Sequence, residues 1–154
     1  MKAKTVSESV IVTVRQMTQA DANMAGNVHG GIIVKHIDDA AGIAAIRHAC
    51  GNCVTASIDK IVFYKPVYVF DLLRIKASVN FVGKTSMEVG AKVEAEDYMT
   101  GETRHTASAY LTFVALDKNG KPFQVPQLIP ETEDEKRRNA QAAERRTKRL
   151  KDRV

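Results

Sequence analysis

Gly30-Gly-Ile-Ile-Val-Lys-His-Ile-Asp-Asp-Ala-Ala-Gly-Ile-Ala-Ala-Ile-Arg-His-Ala-Cys50 is the stretch on which the fold turns. It contains no proline, and Ile33, Ile37, Ala40, Ala41, Ala44 and His48 recur at the three- and four-residue spacing that gathers side chains on one helix face. The spacing predicts one helix over residues 30–50, with a buried stripe made largely of alanine. Gly51-Asn52 follows. Both residue types tolerate the left-handed conformation that often ends a helix, so the cap is expected there.

Working outward, residues 9–17 read as a strand, with Val10, Val12 and Val14 alternating against Ile11, Thr13 and Arg15. Beyond the helix, residues 54–63, 71–81, 86–97 and 104–117 are β-rich, separated by the turn signals Lys65-Pro66, Gly83-Lys84, Thr100-Gly101 and Lys118-Asn119-Gly120. Leu73, Ile75, Ala77, Val79 and Phe81 alternate with Arg74, Lys76, Ser78 and Asn80, which gives one apolar and one polar sheet face. Four long strands in succession imply an antiparallel meander. One helix against five curved strands buries both apolar faces economically, so the expected class is α+β.

Residues 1–130 are expected to form this domain and residues 131–154 a charged helical tail. Thr132-Glu-Asp-Glu135 is a capping box, with acids in the first turn and bases in later turns. The apolar content beyond it is little more than Ala140, Ala142, Ala143 and Leu150, so the tail is expected to be partly exposed, frayed or packed on a neighbouring subunit.

Charge and composition narrow the function. The chain of 154 residues carries 23 Lys+Arg and 18 Asp+Glu, a net +5. Residues 131–154 hold nine bases and six acids, so more than half of that excess sits in the tail. With a mildly basic body, no Trp and few aromatics, nucleic acid is not the expected partner. Glu8 and the short run from Val10 to Val14 do not make a signal peptide, and no stretch has the length of a membrane span, so a soluble, cytoplasmic protein is expected. Cys50-Gly-Asn-Cys53 follows the helix, where the dipole opposes thiolate formation, and only His48 lies near as a further ligand. No metal site is expected.

The residues with chemistry to offer cluster in Asp21-Ala-Asn-Met-Ala-Gly-Asn-Val-His-Gly-Gly31 and the helix behind it. Gly30 and Gly31 stand where helix N–H groups lack intrahelical acceptors, a candidate oxyanion hole, although glycines there also serve close packing. Asp38 falls at the shoulder of the apolar stripe beside Val34, Ala41 and Ala45. Partial burial disfavours its charged form and suits a general base. Asp39 falls on the outer face, four residues from Lys35. Gly31 and Asp38 are about 10 Å apart along the axis, so one reacting atom cannot touch both within a chain. If both act, two chains in a dimer must supply them. Asn23 offers an amide to orient water or a carbonyl, or else forms a turn. His29 is a weaker candidate base, nine residues from Asp38, with loop anchoring as the other reading. Gly83-Lys-Thr-Ser86 lacks the first glycine of a P-loop and precedes a strand, but its turn offers Lys84, Thr85 and Ser86 to a phosphate.

At these residues the chain becomes recognisable. Ala22–Gly31, Ile37-Asp-Asp-Ala-Ala-Gly42, Val54-Thr-Ala-Ser-Ile-Asp59 and Val125-Pro-Gln-Leu-Ile-Pro-Glu-Thr-Glu-Asp-Glu-Lys136 resemble the hotdog-fold acyl-CoA thioesterases of the cytosolic long-chain acyl-CoA hydrolase type. The resemblance implies a long central helix wrapped by the sheet, double-hotdog homodimers and a trimer of dimers. It implies hydrolysis of acyl-CoA to fatty acid and CoA, with no cofactor, since CoA belongs to substrate and product. The family's catalytic Asn and Asp, from opposite subunits, map onto Asn23 and Asp38. Its helix-start N–H donors map onto Gly30 and Gly31, and its CoA contacts onto Gly83, Lys84, Thr85 and Ser86, with His29 alongside. Two rival readings follow from the same residues: a hotdog hydratase or dehydratase using His29, and a non-catalytic acyl-CoA sensor.

Overall fold

The computed structural model describes residues 1–153. Its elements are β1 (Lys4–Thr5), β2 (Ile11–Gln16), α1 (Gly30–Ala49), β3 (Cys53–Phe63), β4 (Leu72–Val82), β5 (Ser86–Asp97), β6 (Glu102–Ala115), β7 (Leu128–Ile129) and α2 (Glu133–Lys151). The five long strands form one antiparallel sheet, and α1 lies against all five. A straight helix touches every strand only if the sheet curves around it. The expected α+β architecture is present.

The alanine stripe does the packing. Ala40, Ala41, Ala44 and Ala45 are fully buried, with Ile33 and Ile37 at the N-terminal side. Small side chains let the helix lie close over Leu73, Ile75, Val79, Val89, Val93 and Leu111, the inward residues of β4, β5 and β6. Gly42 meets the Phe113 ring, 3.7 Å from where its Cβ would be.

Three details depart from the sequence reading. The sheet order is β2-β4-β5-β6-β3, so only β4, β5 and β6 form a meander. The segment between β3 and β4 spans Tyr64 to Asp71, too long for a tight hairpin. It runs past the loop before α1, where Val28 N–H donates to Val67 O, and past the end of β2, where Phe70 N–H donates to Met17 O. That path delivers the chain to the opposite side of the sheet. The left-handed cap of α1 is Cys50, at φ 55°, rather than Gly51-Asn52. Gly51 is required for space, since a Cβ there would sit 2.7 Å from the Phe123 ring. The third departure is small: β1 and β7 pair in parallel over two residues each, too short to carry a periodic signal.

Helix α2 docks on the outer face of its own sheet. Ala142 is buried, Asn139 donates to Asn80 O at 2.9 Å, and Arg145 reaches the buried Glu88 through two bonds of 2.8 and 2.9 Å. The Arg145 guanidinium also stacks 3.7 Å above the Tyr110 ring. Charged contacts thus replace the apolar stripe that the tail lacks. No helix among the described residues is long and apolar enough to cross a membrane.

His48, on the buried face of α1, is fully enclosed and hydrogen-bonded through Nε2 to Pro126 O at 2.7 Å. The carbonyl is an acceptor only, so Nε2 carries the proton and Nδ1 has no partner. Burial pushes its pKa below the ordinary 6.5, and the Pro126 carbonyl opposes this without cancelling it. As pH falls through 6.5 the unfolded chain takes up a proton at His48 before the folded chain does, so stability is full above that pH and declines below it. The expected slope is up to about 1.4 kcal/mol per pH unit. Urea midpoints measured across this window should fall for the native chain and fall less for His48→Gln. His36 contributes with the same sign in that variant, since burial, with Arg15 and Lys35 nearby, also lowers its pKa.

Candidate active site

The loop before α1 is built around the Asn23 side chain. Its Oδ1 accepts from Ala25 N–H at 2.9 Å and from Asn27 N–H at 3.1 Å, while the backbone closes with Asn23 N–H to Asn27 O at 2.7 Å. Two N–H donors facing one atom identify that atom as the oxygen. The Asn23 side-chain NH₂ therefore points away from the loop, and no atom of the described residues accepts from it. Asn23 is at once the turn-former and an exposed donor.

The loop is held from behind. Val28 is buried and bonded to Val67, Asn27 bridges to Tyr68, and Tyr68 N–H donates to Asp71 Oδ2 at 2.9 Å. Arg104 closes the support through a 2.6 Å bond to the same carboxylate and lies 5.1 Å over the Tyr68 ring.

His29 is the N-cap of α1. Its Nδ1 accepts from Gly31 N–H at 2.9 Å. This changes two expectations. The Gly31 N–H is already spent on the imidazole, so Gly30 N–H is the helix-start donor left without a protein acceptor. With Nδ1 as acceptor, the neutral ring carries its proton on Nε2, so the free edge of His29 is a donor and not a base. Gly31 is glycine because of this cap: a Cβ would stand 3.0 Å from the His29 ring.

Asp38 is half-buried on the shoulder of α1, as its wheel position predicts. Its Oδ1 accepts from Thr55 Oγ1 at 2.7 Å, while Oδ2 makes no bond among the described residues. One oxygen is thus fixed and the other is available to water or a carbonyl carbon. Asp39 is exposed and lies 3.5 Å from Lys35, the surface pair expected. Thr55 is the site residue that sequence reasoning missed. A Thr in a strand reads as β-propensity, and only the fold shows that β3 brings it to Asp38.

Within one chain these parts stay apart. Gly30 and Asp38 are separated by about 12 Å of helix. The loop lies beside Phe63, at the end of β3, whereas Thr55 lies near its start. The Gly83–Ser86 turn is at the same sheet end as the start of β3. Its backbone is satisfied by Gly83 N–H to Ser86 O, Ala115 N–H to Thr85 O and Val125 N–H to Lys84 O, leaving the exposed Lys84 side chain free. Cys50 and Cys53 are free thiols, burial pushing Cys53 up to about 11. No cluster of His, Cys, Asp and Glu among the described residues could hold a metal ion.

Sequence and structure comparisons place the chain in a family. The thioesterase superfamily model matches residues 25–102. YkhA of Bacillus subtilis, an uncharacterized acyl-CoA thioester hydrolase, is 44% identical over 128 residues, covering 83% of this chain and 74% of that protein. The cytosolic acyl coenzyme A thioester hydrolase of Rattus norvegicus is 40% identical over 136 residues, which are 87% of this chain but only 36% of that protein. Among solved structures, an acyl-CoA hydrolase of Staphylococcus aureus with butyryl coenzyme A and coenzyme A superposes with TM-score 0.90 at 38% identity, covering 96% of this chain and 90% of that one. An apo-hexameric acyl-CoA thioesterase superposes with TM-score 0.95 at 38% identity, covering 98% and 97%. Three further structures of the S. aureus enzyme carry alanine in place of an Asp, an Asn and a Thr. The chain belongs to the thioesterase superfamily, and its architecture is the hotdog fold.

The cap gives this site its first test. His29→Ala should lower the denaturation free energy by about 1 kcal/mol, the ordinary cost of losing a side-chain N-cap, and His29→Asn should recover most of it. Equal denaturant midpoints for native and His29→Ala protein would remove the cap from the account.

Proposed function

We propose that the protein hydrolyses fatty acyl-CoA thioesters to free fatty acid and CoA, at sites completed by two chains. The observation that carries this reading is the Asp38 carboxylate, half-buried, with one oxygen tied to Thr55 and the other free. In this mechanism Asp38 takes a proton from a water that attacks the carbonyl carbon, or attacks that carbon itself to give a mixed anhydride that water then hydrolyses. Asn23 of the opposite chain donates its NH₂ to the thioester carbonyl, and Gly30 N–H at the same helix start stabilises the developing oxyanion. Oδ1 of Asn23 is occupied by its own loop, which makes the residue a donor to substrate rather than an acceptor for water. A thiolate leaves without acid assistance, because a simple thiol has a pKa of about 8.5.

The Asn, Asp and Thr replaced in the S. aureus enzyme lie fifteen and seventeen positions apart. Asn23, Asp38 and Thr55 have the same spacings, which supports assigning this trio. The edge strand supports a second copy. β3 has no partner on its outer side among the described residues, and Val54, Ile58 and Phe63 on it are exposed, as are Ile43 and Ile46 on α1. An unpaired, apolar edge of eleven residues invites antiparallel addition of an identical strand. A homodimer assembled as a trimer of dimers is the proposed state, in line with the hexameric neighbour. CoA phosphates are assigned to Lys84, Thr85 and Ser86 at the Gly83 turn, with the His29 Nε2–H as a further donor. No cofactor is required, and a cytoplasmic location accords with the cytosolic rat relative.

Release of free thiol from butyryl-, octanoyl- and palmitoyl-CoA tests the assignment. Asp38→Asn and Asn23→Asp should each reduce kcat by about a hundredfold or more while the oligomer remains intact. Asn23→Asp is the sharper of the two, since it keeps the acceptor that forms the loop and replaces the donor with a charged acceptor, which repels the developing oxyanion. Full turnover in either variant would overturn the role of the residue it replaces.

A further inference from the structure

The face of the sheet away from α1 is only half covered by α2. Beside the covered half lies an open cavity of about 490 Å³, bounded by β4, β5, β6 and the second turn of α2. Lys76 on β4 and Lys92 on β5 stand directly opposite each other there. Like charges in direct register destabilise a sheet. Neither lysine forms an ion pair among the described residues.

The next row toward α2 supplies the floor. Ser78 faces Gly90 across the same strand pair, and Gly90 faces Tyr110 on β6. Ser78 lines the cavity, and its hydroxyl makes no hydrogen bond to the described residues. A hydroxyl that no protein group holds and that solvent reaches can donate to, or accept from, a solute in the cavity. Gly90 keeps the floor open, and a Cβ at that position would meet the Asn80 amide at 2.6 Å.

From above, α2 contributes Arg137 and Arg138. Arg137 pairs only with the exposed Asp134, at 3.2 Å, and Arg138 reaches only the Asp134 backbone oxygen, at 3.4 Å. Further along α2, Arg145 is committed to the buried Glu88 and Arg149 to Asp59, while Arg146 lies over the Phe81 ring. Glu94 is the one acid lining the cavity, against four bases.

We infer that this cavity binds a phosphate-bearing anion. Four cations and a free hydroxyl ask for several negative charges and several acceptor oxygens at once, which a phosphoryl group supplies and a single carboxylate does not. The volume admits a diphosphate or a nucleoside phosphate. The site lies across the sheet from Asp38, so it is not where the thioester reacts. The CoA phosphates are assigned to the Gly83 turn, whose residues do not line this cavity, so the anion here is the phosphoryl group of a separate phosphorylated metabolite.

Calorimetric titration of inorganic pyrophosphate into the intact oligomer tests the inference. The native protein should bind about one pyrophosphate per chain, more weakly as salt is raised. Lys76→Gln/Lys92→Gln should weaken that binding by about tenfold or more. In anion-free, low-salt buffer the double variant should melt no lower than the native protein, because the repulsion is gone, and this separates lost binding from lost folding. Repeating the titration with saturating CoA separates this cavity from the substrate's site: undisturbed binding supports a separate metabolite, and displacement by CoA would contradict the inference. Absence of saturable binding to the native protein, or binding that survives both substitutions, would overturn the inference.

Discussion

The close seating of α1 in the curved sheet is the contact on which everything else depends. Ala40, Ala41, Ala44 and Ala45 have no exposed surface, and their small size sets how near the helix comes to β4, β5 and β6. That distance puts Asp38, on the shoulder of the same helix, within 2.7 Å of Thr55 on β3. Larger residues in the stripe would lift the helix, and the Asp38–Thr55 contact would be lost before the fold was. The chemistry of the site therefore rests on core packing.

The same helix acts as a ruler. Its first donor, Gly30 N–H, and its carboxylate, Asp38, are about 12 Å apart because the rise per residue is fixed. The loop that carries Asn23 is pinned to the helix start by the His29 cap and to the Val67–Asp71 segment by the Val28–Val67 bond and the Asn27–Tyr68 bridge, and Arg104 holds that segment in turn, so the loop does not swing across that gap. A single chain thus holds the candidate groups at two places. In the proposed function, a second chain would bring complementary groups together along the edge of β3, which has no strand partner on that side among the described residues.

Much of this was legible in the sequence. Residues 30–50 carry an uninterrupted helical period, and the helix found is Gly30–Ala49; the long strands likewise begin and end close to their turn signals. The order of strands was not legible, because Lys65-Pro66 looks like a turn whether the chain doubles back or crosses over. At the candidate site, the loop position of Asn23 and the half-buried shoulder position of Asp38 were legible from the sequence. Thr55 was not, since its role depends on a contact between β3 and α1 that no local pattern reports. The capture of Gly31 N–H by His29 was equally hidden, because a helix start shows its unpaired donors in sequence but not the side chain that takes them. The tail defied its weak apolar stripe for a related reason: Arg145, Glu88 and Tyr110 are scattered in sequence and meet only on the folded sheet.

Complementation between two inactive chains tests the two-chain site most directly. Asn23→Asp and Asp38→Asn chains, each purified and shown to be inactive, are unfolded together and refolded as a mixture. If Asn23 and Asp38 act across the interface, half of the randomly formed dimers are mixed and each carries one intact site, so thiol release should return to about a quarter of the native rate. If the two residues act within one chain, every site in the mixture remains damaged. No recovery of thiol release from well-folded mixed oligomers would contradict the account.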